Sequence, residues 1–242
     1  MSRAAKGVLV LAGDIGGTKT KLGLFRVTPR GAVRAASARY ESRLYPGLVE
    51  IVREFLARNP AAPSAACFGV AGPVRDGRCV ATNLPWVVDA RGLARVLRLP
   101  RVELMNDLEA NAWGIPFLAP GDFYTVNKGK PDLKGNAAVI AAGTGLGEAG
   151  LFRDGSELRP FACEGGHADF SPAGALQGKL WRRLTARFGH ASWERVLSGP
   201  GLVNLYGFLR GAGREPRWLA VELKGAAAAA AISRAGLERR SA

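Results

Sequence analysis

Cysteine is scarce in this chain. Cys67, Cys79 and Cys163 are the only three in 242 residues, and they stand far apart. An odd, scattered set argues against a disulfide framework and has no metal-type spacing, so a reducing, cytoplasmic compartment is expected. Long apolar runs are missing too. Nothing approaches the run of about 18 apolar residues that reads as a membrane-crossing helix. Met1–Lys6 leads toward the first apolar stretch without a signal core and cleavage site of its own. No membrane partner is expected. Acidic residues are outnumbered, 20 Asp and Glu against 34 Lys and Arg, giving a formal charge of +14. Such a surplus can mark a nucleic-acid binder. Here the arginines are spread along the whole chain and are not interleaved with aromatics. No nucleic-acid partner is expected, and the charge reads as a solvated surface with a secondary benefit for an anionic substrate.

What the chain does have is glycine in telling places. Val8 to Val27 is an apolar run, then Gly13-Asp14-Ile15-Gly16-Gly17-Thr18, then an alternating run. Short apolar runs on both sides of glycines read as two strands joined by a tight turn. Glycines let the backbone approach a ligand and aim its N–H groups at an anion. A dinucleotide fingerprint or a Walker loop would need a helix next, whereas Thr20 to Val27 reads as a strand. The plain alternative is a structural hairpin that happens to be rich in glycine. A second copy weighs against it: Ala137 to Phe152 repeats the pattern around Gly143, Thr144 and Gly145. Two such hairpins suggest two similar halves, each offering a phosphate-binding turn to a shared cleft.

Between the copies, Ala32–Tyr40 reads as a third strand and Gly47–Asn59 as an amphipathic helix stopped by Asn59-Pro60. Ala66–Val70 reads as a buried strand, Asp76-Gly77 as a turn, and Arg78–Val88 as strand and loop. Asp89 should cap a helix. Val102–Met105 is another buried strand, Leu108–Ile115 a helix, and Asp122–Val126 an edge strand. This order predicts an α/β layer architecture. Lys128–Asn136 reads as a link, which sets the domains at 1–128 and 137–242. The second domain should add a strand at Glu157–Phe161 and a helical stripe of Leu176, Leu180, Leu184 and Phe188. A turn at Ser198–Gly201 and a helix from Leu202 should follow, and then a near-pure alanine run from Gly225 to Ala231.

Three sets of polar residues could carry chemistry. Asp107 falls just past a strand end and before a helix, where α/β folds present reactive side chains. It could take a proton from a hydroxyl attacking phosphorus, with Asn106 holding that hydroxyl. The plain alternative is a helix-capping aspartate. Glu164 and His167 share a Gly-rich loop and suit adjacent hydroxyls of a polyol. His167 with Cys163 lacks the further ligands a zinc site needs. Glu194 by itself reads as a surface charge.

The chain resembles the bacterial glucokinase family, within the sugar-kinase, Hsp70 and actin superfamily. The matching stretches are Leu11–Thr20, Phe68–Val74, Thr82–Trp86, Glu103–Ala110, Ala141–Gly147, Glu164–Phe170 and Leu197–Leu202. The resemblance implies two ribonuclease-H-like (actin-like ATPase) domains flanking a cleft. It implies an ATP-dependent kinase that turns glucose into glucose 6-phosphate for glycolysis. Asp107 is then the general base, with Asn106, Glu164, His167 and Glu194, and more weakly Asn83, on the sugar. The turns Gly13–Thr18 (Gly13, Asp14, Ile15, Gly16, Gly17, Thr18) and Gly143–Gly145 (Gly143, Thr144, Gly145) would face ATP, with Asp14 near Mg2+. Expected partners are glucose and ATP; a homodimer is left open.

Two departures follow. Ala168–Arg183 has no cysteine, so the zinc loop of related kinases is not expected, and no helix-turn-helix segment precedes Val8. Family members also continue past the alanine run with strands that close over adenosine. The second domain is therefore expected to be incomplete, its sheet edge exposed. The alternative function is a catalytically impaired sugar-binding remnant, from a fragment, a frameshift or a degenerate paralogue.

Overall fold

The computed structural model describes residues 7–29, 31–130, 132–211, 213, 216–225 and 227–238. The lead-in Met1–Lys6 and Pro131 of the expected link lie outside the described residues.

The chain opens with a meander: β1 (Val8–Ile15), β2 (Lys19–Thr28) and β3 (Gly31–Glu41). Helix α1 (Leu48–Arg58) follows, with Leu48, Ile51, Val52 and Phe55 buried on one stripe. It stops where expected, as the Asn59 side chain donates to the Phe55 carbonyl at 2.9 Å ahead of Pro60. Strand β4 (Ala65–Val70) runs parallel to β1. A small antiparallel sheet comes next, made of β5 (Val74–Arg75), β6 (Arg78–Val80) and β7 (Val87–Asp89). Asp76 and Gly77 turn its first corner with φ of 52° and 72°. Two successive positive φ values are what an Asp-Gly hairpin turn supplies. Helix α2 (Ala90–Leu97) is capped by Asp89 as expected. Strand β8 (Val102–Asn106) joins β4 in parallel and leads straight into α3 (Asp107–Gly114). The main sheet has the order β3-β2-β1-β4-β8.

The repeated hairpin is β9 (Ala137–Ala142) and β10 (Leu146–Asp154), with β11 (Glu157–Cys163) beside them in the order β11-β10-β9. That is the β3-β2-β1 order over again. The remaining elements are α4 (Gly174–Phe188), α5 (Gly199–Arg210), α6 (Arg217–Glu222) and α7 (Ala228–Leu237). No strand follows β11 among the described residues. β1 has neighbours on both sides, whereas β9 has a strand neighbour on one side only among the described residues.

The chain divides into two compact units: Met1–Ala137 with Gly150–Ala162, and Ala138–Ala149 with Cys163–Ala242. The first has a large core in which Leu11, Ile15, Leu22 and Leu24 of the sheet meet Ile51, Val52 and Phe55 of α1. Each such side chain contributes about 1.5–3 kcal/mol by leaving water. The second has a small core of Phe170, Leu180, Leu184, Ala191 and Val196. Among the described residues no helix is long and apolar enough to cross a membrane.

Two expectations need correction. Asp122–Val126 forms no strand: Pro120–Asp122 is a single 3-10 turn, and Phe123, Tyr124 and Val126 stand exposed with no sheet to receive them. The helix expected from Leu202 starts at Gly199, because Ser198 caps it by accepting the Gly201 N–H at 2.9 Å. Proline near a helix start costs no hydrogen bond, so Pro200 belongs to the first turn and not to a loop. The stripe of Leu176, Leu180, Leu184 and Phe188 lies on α4 as read, but its burial is uneven: Leu176 is 61% exposed, while Leu180 and Leu184 are buried.

Candidate active site

In the first unit the glycine turn is shorter than the sequence suggests. β1 continues through Ile15, so the turn itself is Gly16–Thr18. Gly13 sits inside the central strand, paired with Leu22 on one side and Phe68 on the other. A Cβ there would come within 2.6 Å of the Phe68 ring, which makes Gly13 a packing residue. The Ile15 side chain is in the core. Asp14 points to the opposite face, where it pairs with Lys21 at 3.1 Å, both well exposed.

The turn is held from behind. Gly16 N–H donates to Lys19 O at 3.0 Å, and Ser42 N–H to Thr18 O at 3.0 Å. The Ser42 hydroxyl donates to Gly16 O at 2.8 Å and lies 3.0 Å from the Thr20 hydroxyl. Thr20 and Ser42 are completely buried. Sequence reasoning missed both. The available signal was a small polar residue straight after the third strand. On the outer side Gly17 packs on Asn83: a Cβ at Gly17 would sit 2.5 Å from the Asn83 Cβ. Asn83 is exposed.

Asp107 follows the C-terminal end of parallel strand β8, as read from the sequence. The cap of α3, however, is Asn106 and not Asp107. Asn106 Oδ1 accepts the Leu108 N–H at 2.9 Å and the Glu109 N–H at 3.4 Å, while its Nδ2 donates to Gly72 O at 3.3 Å. The buried Asn106 amide thus fixes both the helix start and the loop after β4. Asp107 is the first helical residue, half-buried, with Oδ1 also accepting the Leu108 N–H at 3.0 Å. Backbone dipoles at a helix start favour an anionic group there. Burial pushes the neighbouring Cys79 thiol above its usual value, and the Asp107 carboxylate pushes it further. Thr82 ties its segment to the same loop by its N–H and hydroxyl, each 3.2 Å from Ala71 O. Asn83, Asn106 and Asp107 are therefore brought together around Ala71-Gly72.

In the second unit the turn is Gly143–Gly145. Gly143 N–H folds back to Gly145 O at 2.8 Å, and Gly143 O accepts the Gly199 N–H of α5 at 2.8 Å. Glu194 lies in a 3-10 turn (Trp193–Arg195) and its Oε2 accepts the Leu146 N–H at 3.1 Å. It is not a free surface charge: a Cβ on Gly145 would meet this carboxylate at 2.5 Å. Glu164 precedes and His167 ends another 3-10 turn, Gly165–His167, with 3.9 Å between His167 Nε2 and Glu164 Oε2, both well exposed. Gly166 lies against the Leu146 carbonyl, with no room for a side chain. Glu164, His167 and Glu194 are thus gathered about the start of β10. Glu148, not singled out beforehand, joins them, its Oε2 lying 4.0 Å from Cys163 Sγ.

No group of three or more His, Cys, Asp or Glu able to hold a metal occurs among the described residues. Magnesium usually takes one or two protein carboxylates and fills its other positions with water and phosphate oxygens. Asp14 is an exposed carboxylate just before the Gly16–Thr18 turn.

Comparison with known proteins adds the following. The family model described as Glucokinase matches residues 11–242. The glucokinase of Trichormus variabilis is 42% identical over 207 residues, covering 84% of this chain and 60% of the relative. The chain thus spans about 60% of the length of the curated relatives it matches. A glucokinase from an Antarctic psychrotroph superposes with a TM-score of 0.74 at 27% identity, covering 93% of this chain and 74% of that one. A ROK family glucokinase from Streptomyces griseus, solved with glucose and AMPPNP, gives a TM-score of 0.60 at 25% identity, covering 95% and 71%.

Proposed function

The chain belongs to the glucokinase family, and on that premise we propose that it transfers the γ-phosphoryl group of ATP to the 6-hydroxyl of glucose. In this reaction the sugar oxygen attacks the γ-phosphorus while its proton passes to the Asp107 carboxylate. The bond from that phosphorus to the β–γ bridging oxygen breaks, and ADP leaves. The observation that carries the reading is Asp107 itself, half-buried at the junction of a parallel strand and a helix whose start is fixed by Asn106. A base must be held within hydrogen-bond reach of the proton it takes, and a capped helix start on a sheet end is a rigid mount.

Asn83 and Asn106 in the first unit, and Glu164, His167 and Glu194 in the second, are assigned to the sugar. Asn106 and Glu194 are committed to backbone N–H groups, so their contribution is shared with holding the loops. The turn amides of Gly16–Thr18 and Gly143–Gly145 are assigned to the phosphates. Asp14 would hold magnesium with the nucleotide; the ion supplies charge neutralisation on the phosphate oxygens. The strand order shared by the two meanders supports reading two ribonuclease-H-like domains, residues 1–128 and 137–242. Three free thiols suit a reducing cytoplasm.

The test is a coupled assay for glucose 6-phosphate on the purified chain, run beside a glucose titration. Turnover that requires ATP, magnesium and Asp107 is expected. Glucose binding without turnover would leave only a sugar-binding remnant.

A further inference from the structure

Helix α1 covers one face of the β1-β2-β3 meander; the opposite face carries a cavity of about 610 Å³. Register explains it. Leu22 pairs with Ala38 and Leu24 with Ala36, and these point toward α1. The intervening rows point the other way: Asp14–Lys21–Arg39, then Ala12–Gly23–Ser37, then Phe25–Arg34. The middle row has three small residues and the outer rows have long ones, so the surface is hollow between them. Phe25 leans into the gap, its ring Cε2 2.6 Å from where a Gly23 Cβ would be.

The walls are cationic. Lys21 is engaged by Asp14 at 3.1 Å. Arg34 and Arg39 are exposed, and neither has an ion-pair partner among the described residues. Two unpaired guanidinium groups are disposed around an apolar floor. Guanidinium forks match phosphate oxygens in geometry and charge. The volume lies within the range of about 300–1,000 Å³ usual for small-molecule sites.

We propose that this pocket binds a small phosphate monoester with a flat apolar body. The phosphate would lie between Arg34 and Arg39, the Ser37 hydroxyl would donate to it, and the body would rest on Phe25 and the small-residue floor. The pocket's rim includes Asp14, assigned above to magnesium, but Asp107 does not line it, so its occupancy does not require the Asp107 base.

The test uses 1-naphthyl phosphate as probe, titrated calorimetrically into the full chain, with 1-naphthol as the neutral control. The phosphate should bind about tenfold or more tightly than the naphthol, since charge-assisted hydrogen bonds are at stake. The double substitution Arg34→Ala, Arg39→Ala, on exposed positions, should weaken the probe by a similar factor. Ser37→Phe, which fills the floor and keeps both arginines, should abolish binding. Asp107→Asn should leave it unchanged. Equal binding of phosphate and naphthol overturns the proposal. So does full binding in either pocket variant, or loss of binding in Asp107→Asn.

Discussion

The Ser42 hydroxyl donates to the Gly16 carbonyl at 2.8 Å, which fixes the first glycine turn from inside the core. Its proton is thereby spent, so the Thr20 hydroxyl, 3.0 Å away, donates to Ser42 Oγ. Both side chains are fully buried. Ser42→Ala strands the Thr20 hydroxyl and the Gly16 carbonyl, a cost of about 1–3 kcal/mol. Urea unfolding should show that loss. Because the turn is assigned to the phosphates, KM for ATP should rise more than KM for glucose. Equal rises in the two would show that the clamp has no special bearing on the turn.

Gly17 and Asn83 make a second point of contact with the same turn. Gly17→Ala puts a methyl 2.5 Å from the Asn83 Cβ, closer than carbon atoms approach, so the turn must shift. Asn83→Gly removes the obstacle. The double variant should therefore recover much of the ATP affinity that Gly17→Ala loses, and a double-mutant cycle reads this as coupling. Strict additivity would mean the methyl acts elsewhere.

These two contacts show what the sequence could and could not disclose. The meanders, α1 and the Asp-Gly hairpin were legible, because period and turn chemistry are local. The capping role of Asn106 was not: Asn106 and Asp107 are adjacent polar residues, and only the geometry of the strand end decides which one faces the helix amides. Glu194 gave no local signal, since its partner Leu146 is 48 residues away. Ser42 likewise acts on Gly16 across 26 residues. The strand expected at Asp122–Val126 failed for the complementary reason. Phe123, Tyr124, Thr125 and Val126 are all residue types that favour strands, but a strand needs a neighbour, and composition alone cannot supply one.

Asp107→Asn keeps the shape and the Leu108 N–H contact but removes the base. Turnover should fall by about 10²–10⁴, with glucose affinity nearly unchanged. Asn106→Ala should behave differently. It uncaps α3, costing about 1 kcal/mol or more, and frees the Gly72 loop, so stability and turnover fall together. Steady-state kinetics with urea midpoints separate the two. A near-normal rate in Asp107→Asn would remove it from the role of base.

Stability should fall in alkali. Burial raises the Cys67 and Cys79 thiols above their ordinary 9.0. Tyr40 is raised above 10.0 by burial, and Tyr45 by donating its hydroxyl to Glu54. The unfolded chain therefore releases these protons first, and the folded chain binds more protons above about pH 9. Stability declines as pH rises wherever the native state holds more protons. It should be intact below pH 9 and drop above it. Cys67→Ala with Cys79→Ala should flatten the part that begins near pH 9, and leave the tyrosine part beginning near pH 10. An unchanged slope in that variant would exclude the thiols as its source.

The open edge at β9 carries the last expectation. Ala137–Ala142 contains neither charge nor proline, is mostly exposed, and ends the order β11-β10-β9. Natural sheets usually protect such an edge with charge, a bulge or a covering element, because its unpaired N–H and C=O groups template pairing with another chain. Ile140 is 67% exposed on this strand. The chain should therefore self-associate as its concentration rises, despite a repulsive net charge of +14. Ile140→Lys should suppress that association. Leu237→Lys, on α7 at 85% exposure and outside every strand, should not. Light scattering over a concentration series decides. Equal suppression by both substitutions would point to general charge repulsion, and only a selective effect of Ile140→Lys identifies strand pairing as the route.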